Sequence, residues 1–296
     1  MNATGTRTRI SLKSILYATD FSPAAASALP YVLGLAKGYG AKVHALHVRS
    51  PYPLIVGPEA MPQIIEAAKE QAKFEAQQLH EILSTVPHDV LVCEGDLWPA
   101  ITDMVQQQNI DLIVIGTRGR TGVGRAVLGS VAEEVFRRAS CPVLTVGPHV
   151  SSDTERRLKM KEILYATDFS PESLSALPYA VSFAQEHEAR LTILHVIGEA
   201  EVGELVHAEN YFESTLRRLR ELVPPEAKSW CEPSTRVEKG PAAEKILEVA
   251  IALGADLIVL GVRGAAVNMG ATTHLSRSTA HRIVTQAECP VLTVRG

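Results

Sequence analysis

Residues 15–23 read Ile-Leu-Tyr-Ala-Thr-Asp-Phe-Ser-Pro, and residues 163–171 read the same nine. The match resumes at Ser27-Ala-Leu-Pro-Tyr and Ser175-Ala-Leu-Pro-Tyr, and at Leu46-His-Val and Leu194-His-Val. Asp111-Leu-Ile-Val-Ile-Gly is answered by Asp256-Leu-Ile-Val-Leu-Gly, and Cys141-Pro-Val-Leu-Thr-Val by Cys289-Pro-Val-Leu-Thr-Val. A unit of roughly 145 residues is therefore written twice, a period too long for a solenoid. The chain of 296 residues is expected to form two domains, 1–148 and 158–296. A polar stretch between Gly147 and Arg157 divides them. Whatever fold suits one half must suit the other.

Within the first unit, short apolar runs alternate with helical patterns. Strands are expected at Ser14 to Ala18, Lys42 to Val48, Asp89 to Cys93, Leu112 to Ile115 and Val143 to Val146. Ser22 followed by Pro23 is a helix start, and Gly38-Tyr-Gly40 a helix stop. A long helix is expected from about Ala60 to Leu83, another opened by Pro99, and a last one running to about Arg138. Alternating β and α elements predict an α/β fold: two tandem domains, each a five-stranded parallel sheet of Rossmann-like type covered by helices on both faces. Ligands of such sheets sit beyond the carboxyl ends of the strands, where the winding direction reverses.

The polar and glycine-bearing strand ends are Ala18-Thr19-Asp20 and Gly116-Thr-Arg118-Gly119. The second runs into a glycine-rich loop carrying Arg118, Arg120 and Arg125, and then into Gly129-Ser130-Val131, where a helical pattern opens. Glycine lets the backbone approach a ligand closely. A helix N-terminus offers unpaired N–H groups and partial positive charge to a phosphate, and Ser130 is expected to cap it. The spacing Gly-x2-Gly-x9-Gly-Ser is neither a Walker loop nor a dinucleotide fingerprint at the first strand.

Composition narrows the class. The 46% hydrophobic content supplies a core, and the net charge of −4 implies no general attraction to nucleic acid or membranes. No apolar run approaches the length that spans a bilayer, and the first residues lack an apolar signal core. A cytoplasmic protein is expected. The four cysteines, Cys93, Cys141, Cys231 and Cys289, make neither a C-x-x-C pair nor a zinc spacing, so they read as reduced thiols. His47 and His195 lie on the second strands without a metal partner at useful spacing, and structural roles are expected for both.

These motifs together resemble the universal stress protein family in its tandem two-domain form. The likeness rests on Tyr-Ala-Thr-Asp-Phe-Ser, Leu-His-Val, Gly-x2-Gly-x9-Gly-Ser and Cys-Pro-Val-Leu-Thr-Val, and covers nearly the whole chain. The resemblance implies an adenine-nucleotide-binding fold, with ATP, with or without Mg2+, in members that keep the glycine motif. It places Asp20 at the ribose or adenine, with Ala18 and Thr19 beside it, and Val48 in the adenine pocket. Gly116, Arg118, Gly119, Gly129, Ser130 and Val131 would surround the phosphates. It also implies pairing of the two domains through their fifth strands, an edge that could equally build a homodimer.

The second copy departs from this pattern. It loses three residues between the first and fourth strands and regains three after Gly264. The corresponding positions are Thr167, Asp168, Val196, Gly261, Arg263 and Gly264, with Arg277 and Ser278 opposite Gly129 and Ser130. Arg277 either blocks the phosphate pocket or clamps the phosphates; a weaker or altered second site is expected. Three functional classes follow. The favoured one is an ATP-binding, non-enzymatic regulator acting in the stress response. The others are a slow ATPase or phosphotransferase, and a ligand-free interaction module using the helix near 204–222 and the Trp230 segment. Efficient turnover is disfavoured because no second carboxylate is clearly placed near the loop.

Overall fold

A computed structural model describes residues 10–49, 61–117, 128–150, 160–198, 208–225, 227, 231, 233–263 and 278–296. The first unit runs β1 (Ser14–Ala18), α1 (Pro23–Tyr39), β2 (Lys42–Arg49), α2 (Met61–Ile82), β3 (His88–Glu94), α3 (Leu97–Gln107), β4 (Leu112–Gly116), α4 (Ser130–Arg138) and β5 (Val143–Val146). The second runs β6 (Glu162–Ala166), α5 (Pro171–Ser175), α6 (Leu177–His187), β7 (Arg190–Ile197), α7 (Ala208–Leu222), β8 (Pro233–Lys239), α8 (Ala242–Leu253), β9 (Leu257–Val262), α9 (Thr279–Gln286) and β10 (Val291–Arg295).

The order β3-β2-β1-β4-β5 is parallel throughout, and β8-β7-β6-β9-β10 repeats it. The two arrays do not stop at their fifth strands. β5 and β10 run antiparallel, with Leu144 opposite Leu292, so one ten-stranded sheet crosses the described chain. Thr145 Oγ1 donates to Val291 O at 3.0 Å, and Thr293 Oγ1 to Val143 O at 3.3 Å. Arg295 adds a bond to the carbonyl of Phe136, which ends the seam on α4.

Successive strand residues face opposite sides, and both sides are apolar. Ile15, Tyr17, Val43 and Ala45 build one layer with α1 and α2; Leu16, Ala18 and Leu46 build the other with α3 and α4. Each layer continues into the second unit. The same acid clamps both first strands at their start. Asp111 Oδ2 accepts the N–H groups of Lys13 and Ser14, and Asp256 Oδ2 those of Lys161 and Glu162.

Helix ends follow the expected chemistry in α1: Ser22 accepts the N–H of Ala25, and Gly40 closes the helix at φ 67°. Three expectations are corrected. α3 begins at Leu97, after Asp96, so Pro99 sits inside the first turn, where a missing N–H costs nothing. α4 begins at Ser130 itself, with Gly129 in the cap position and no side-chain cap. The second copy of α1 is broken at Ala176 into α5 and α6, and Glu188, at φ 50°, stands where the first unit has Gly40. The helix expected near 204–222 is described from Ala208; the Trp230 segment lies largely outside the described residues.

Candidate nucleotide site

The site begins with the turn from β1 into α1. Thr19 donates its N–H to Leu46 O and accepts the N–H of Phe21 on Oγ1. Asp20 Oδ1 accepts the N–H of Ser22 at 3.0 Å. These side-chain turns hold Phe21 at φ 59°, a left-handed conformation that costs a residue with a Cβ about 1–2 kcal/mol. The second unit repeats the device: Thr167 Oγ1 accepts from Phe169 at φ 61°, and Asp168 Oδ1 accepts from Ser170. The identical nine residues thus carry the same strained turn in both copies.

The histidines of β2 and β7 secure that turn from beneath. His47 Nδ1 lies 2.8 Å from Thr19 O, and His195 Nδ1 2.8 Å from Thr167 O. Each ring packs on the strained phenylalanine at 4.8 Å. Both serve structural roles. What covers them differs between units, and no local pattern shows it. In the first, Glu75 of α2 approaches His47 Nε2 at 3.7 Å and Arg49 Nε at 3.5 Å. In the second, Arg218 lies 3.9 Å over Phe169, and the buried His195 Nε2 has no partner among the described residues.

Gly116 ends β4 beside the turn. A Cβ there would overlap the carbonyl oxygen of Ala24 and lie 2.5 Å from its carbon and 2.8 Å from Ala25 N. Gly261 meets Glu172 and Ser173 of α5 in the same way. Both glycines are thus required where helix and strand tip touch, whatever else they do. Next to Gly116, Thr117 accepts the N–H of Gly129 at 2.7 Å, which brings the start of α4 to the strand tip. Its own Oγ1 is buried and has no partner among the described residues. Arg138 lies 4.9 Å over Trp98 and ties α4 to α3.

The structure therefore brings together Ala18, Thr19, Asp20, Gly116 and the Gly129-Ser130-Val131 helix start around the β1 and β4 tips. Val48 is half-buried on the α3/α4 side, and Val131 is exposed. Arg118 and Gly119 lie outside the described residues, as do Gly264 and Arg277. In the second unit Thr167, Asp168, Val196 and Gly261 line a cavity of about 180 Å³. Leu194, Ile246 and Leu260 supply its apolar wall, and Thr279 and Ala280 of α9 its far side. Arg263 is exposed beyond the end of β9. Ser278 precedes α9 and caps it, accepting the N–H of His281 at 3.2 Å. Burial of the Asp168 carboxyl acts to raise its pKa, but the hydroxyl and N–H of Ser170 more than offset this and hold it below the ordinary range.

The cysteines are free, and burial pushes the Cys141 thiol to about 12 and that of Cys231 to about 11. Such thiols are unreactive near neutral pH. Among the described residues no helix is long and apolar enough to cross a membrane.

The model of the universal stress protein family matches residues 11–147 and again 159–295. A universal stress protein of Mycolicibacterium smegmatis is 26% identical over 294 residues, covering 95% of this chain and 96% of its own. One from Methanocaldococcus jannaschii is 32% identical over 139 residues, 45% of this chain and 81% of its own. The crystal structure of a universal stress protein from Archaeoglobus fulgidus superposes with a TM-score of 0.70 at 23% identity, covering 95% and 98% of the two chains. The last of these bears on the fold alone.

Proposed function

The chain belongs to the universal stress protein family, and on that premise we propose that it is a nucleotide-binding regulatory protein that holds ATP mainly in its first unit. The observation that carries this is the bare start of α4. Gly129 occupies the cap position without a side-chain cap and is bonded to Thr117 at the tip of β4. β1 lies between β2 and β4, so the chain winds in opposite directions on its two sides and leaves a crevice at the strand tips. A helix start beside that crevice offers N–H groups that have no intrahelical partner, which supports the reading.

The assigned roles follow from position. Asp20 accepts from the ribose hydroxyls or the adenine, Val48 lies against the base, and Ala18 and Thr19 form the floor. Gly116 with Arg118, Gly119, Gly129, Ser130 and Val131 surrounds the phosphates, with Mg2+ as an accompanying ion. Binding rather than turnover is supported by the acids of α4: Glu134 is paired with Arg138 at 2.7 Å, one turn away from the helix start. ATP bound here would bias the turn and α4, and so the surface offered to a partner. The free thiols fit a reducing, cytoplasmic compartment.

Calorimetry with ATP on the wild type and on Gly129→Arg tests the assignment. Gly129 has φ −63°, so arginine fits the backbone, and its side chain occupies the phosphate position. A loss of at least about tenfold is expected, the equivalent of about 1.4 kcal/mol. Equal affinities would defeat the site.

A further inference from the structure

The last turn of α2 carries a histidine that meets another at the start of β3. His80 Nδ1 lies 3.0 Å from His88 Nε2, and the ring centroids are 5.1 Å apart. His88 Nδ1 is 2.8 Å from the carbonyl oxygen of Val86, which can only accept. That nitrogen therefore holds the proton of the neutral ring, and Nε2 presents a lone pair toward His80. A ring N–H donated to a backbone carbonyl is also the usual support behind a metal-ligating histidine. The corner between the two rings is firm. Leu83 and Val86 are buried, Val86 donates its N–H to Leu83 O, and Ser84 donates to Glu81 O.

The fold does not need this pair. His88 stands opposite Val43, and in the second unit Pro233 stands opposite Leu191. Leu79 and Leu83 are buried at the end of α2, and Leu219 and Val223 at the end of α7. Next to the first of each come His80 and Arg220. The second unit thus places an arginine and a proline on the matching helix and strand.

The spacing selects a coordination geometry. Two imidazole nitrogens about 2.0–2.1 Å from one ion stand about 2.9 Å apart at a right angle and about 3.3 Å apart at the tetrahedral angle. The observed 3.0 Å is that of neighbouring ligands in a square or octahedral arrangement, the preference of Cu2+ and Ni2+ rather than Zn2+. Nitrogen sites bind Cu2+ most tightly of the divalent first-row ions.

We propose that His80 and His88 form a two-histidine site for a divalent transition-metal ion, Cu2+ above Ni2+, at the junction of α2 and β3. On binding, the Nδ1 proton of His80 passes to Nε2 of the same ring, and each histidine gives the ion one nitrogen lone pair. Among the described residues no group of three or more metal-ligating side chains occurs, so water completes the coordination and the ion exchanges. It fastens α2, the helix whose Glu75 reaches His47 and Arg49, to an edge strand of the sheet.

The test titrates the full chain, first stripped with a chelator, with Cu2+ in a non-coordinating buffer, followed by calorimetry and electron paramagnetic resonance. Wild type takes up one equivalent with hyperfine coupling to two imidazole nitrogens. His80 is exposed, so His80→Gln leaves the core intact, and its amide can still donate to His88. A pair that served only as a hydrogen bond would keep its role in that variant. Affinity instead falls by at least about tenfold in His80→Gln and in His88→Gln. The double variant is weaker than either single one by no more than about threefold, because one remaining histidine is no chelate. His149→Gln, at another exposed histidine of the first unit, binds as wild type does. The proposal is overturned if His80→Gln binds as tightly as wild type, if the spectrum shows no imidazole nitrogen, or if His149→Gln loses as much, the mark of scattered surface binding.

Discussion

Replacing Gly116 with alanine separates two reasons for having a glycine at a strand tip. A methyl group there sits 2.5 Å from the carbonyl carbon of Ala24, about 1 Å inside the ordinary carbon–carbon contact of 3.5–4.0 Å. The obstructing atoms are backbone, so no rotamer change relieves the overlap. The first turn of α1 must move off β4 by about that distance, disturbing the layer that Tyr17, Ala28 and Val32 fill. Overpacking of this kind costs about 1–3 kcal/mol, and rigid neighbours put it near the upper end. At 2–4 °C per kcal/mol, the melting temperature falls by roughly 6–12 °C. Gly261→Ala, whose methyl lies 2.5 Å from the carbonyl carbon of Glu172, behaves alike. Gly147→Ala is the control: its nearest atoms are at 3.5 and 3.7 Å, and it stays within about 0.5 kcal/mol of wild type. Thermal melts followed by circular dichroism, paired with ATP calorimetry, decide between the two reasons. If Gly116→Ala lost ATP but melted with the wild type, the glycine would serve the ligand and the packing argument would be wrong.

Other outcomes follow from single residues. Ser22→Ala removes a buried cap that holds the Ala25 N–H and costs about 1 kcal/mol in urea titration; an unchanged midpoint would deny the cap its role. Glu188→Gly relieves a left-handed residue at the end of α6 and stabilises by about 0.5–1 kcal/mol, as the first unit's Gly40 suggests; a lower midpoint would show that the side chain has another use. Asp168 has a folded pKa below its ordinary 3.8. Its contribution is therefore present in full above that value and fades as the pH falls through the lower one. The stability gap between wild type and Asp168→Asn, followed by urea titration across acid pH, should be flat near neutrality and close only below about pH 4; a gap that closed near pH 6 would implicate a different group.

Much of the fold was legible because its signals are local and occur twice. Ser22-Pro23 and Gly40 bounded α1 correctly, and the apolar runs marked every strand of the first unit to within a residue or so. What escaped depends on distant partners. Gly116 needs no side chain because of Ala24, ninety-two positions earlier, and nothing within the Gly-x2-Gly spacing says so. Serine favours the cap position, which points to Ser130, but Gly129, bonded to Thr117, takes that position and the helix starts one residue earlier. The cluster of His47, Arg49 and Glu75 joins β2 to a helix face whose pattern is merely amphipathic. For the candidate site, both strand tips were readable, whereas the caps that distinguish one unit from the other appear only where the chain meets itself.

The antiparallel contact of Leu144 with Leu292 has an evolutionary corollary. A pair of identical subunits joined at such an edge must carry every substitution twice, so an improvement at one pocket is imposed on its twin. Fusing the halves on one chain removes that constraint while the shared seam keeps them side by side in fixed one-to-one ratio. Glycine at one helix start and serine at the other is a divergence that a pair of identical subunits cannot accumulate.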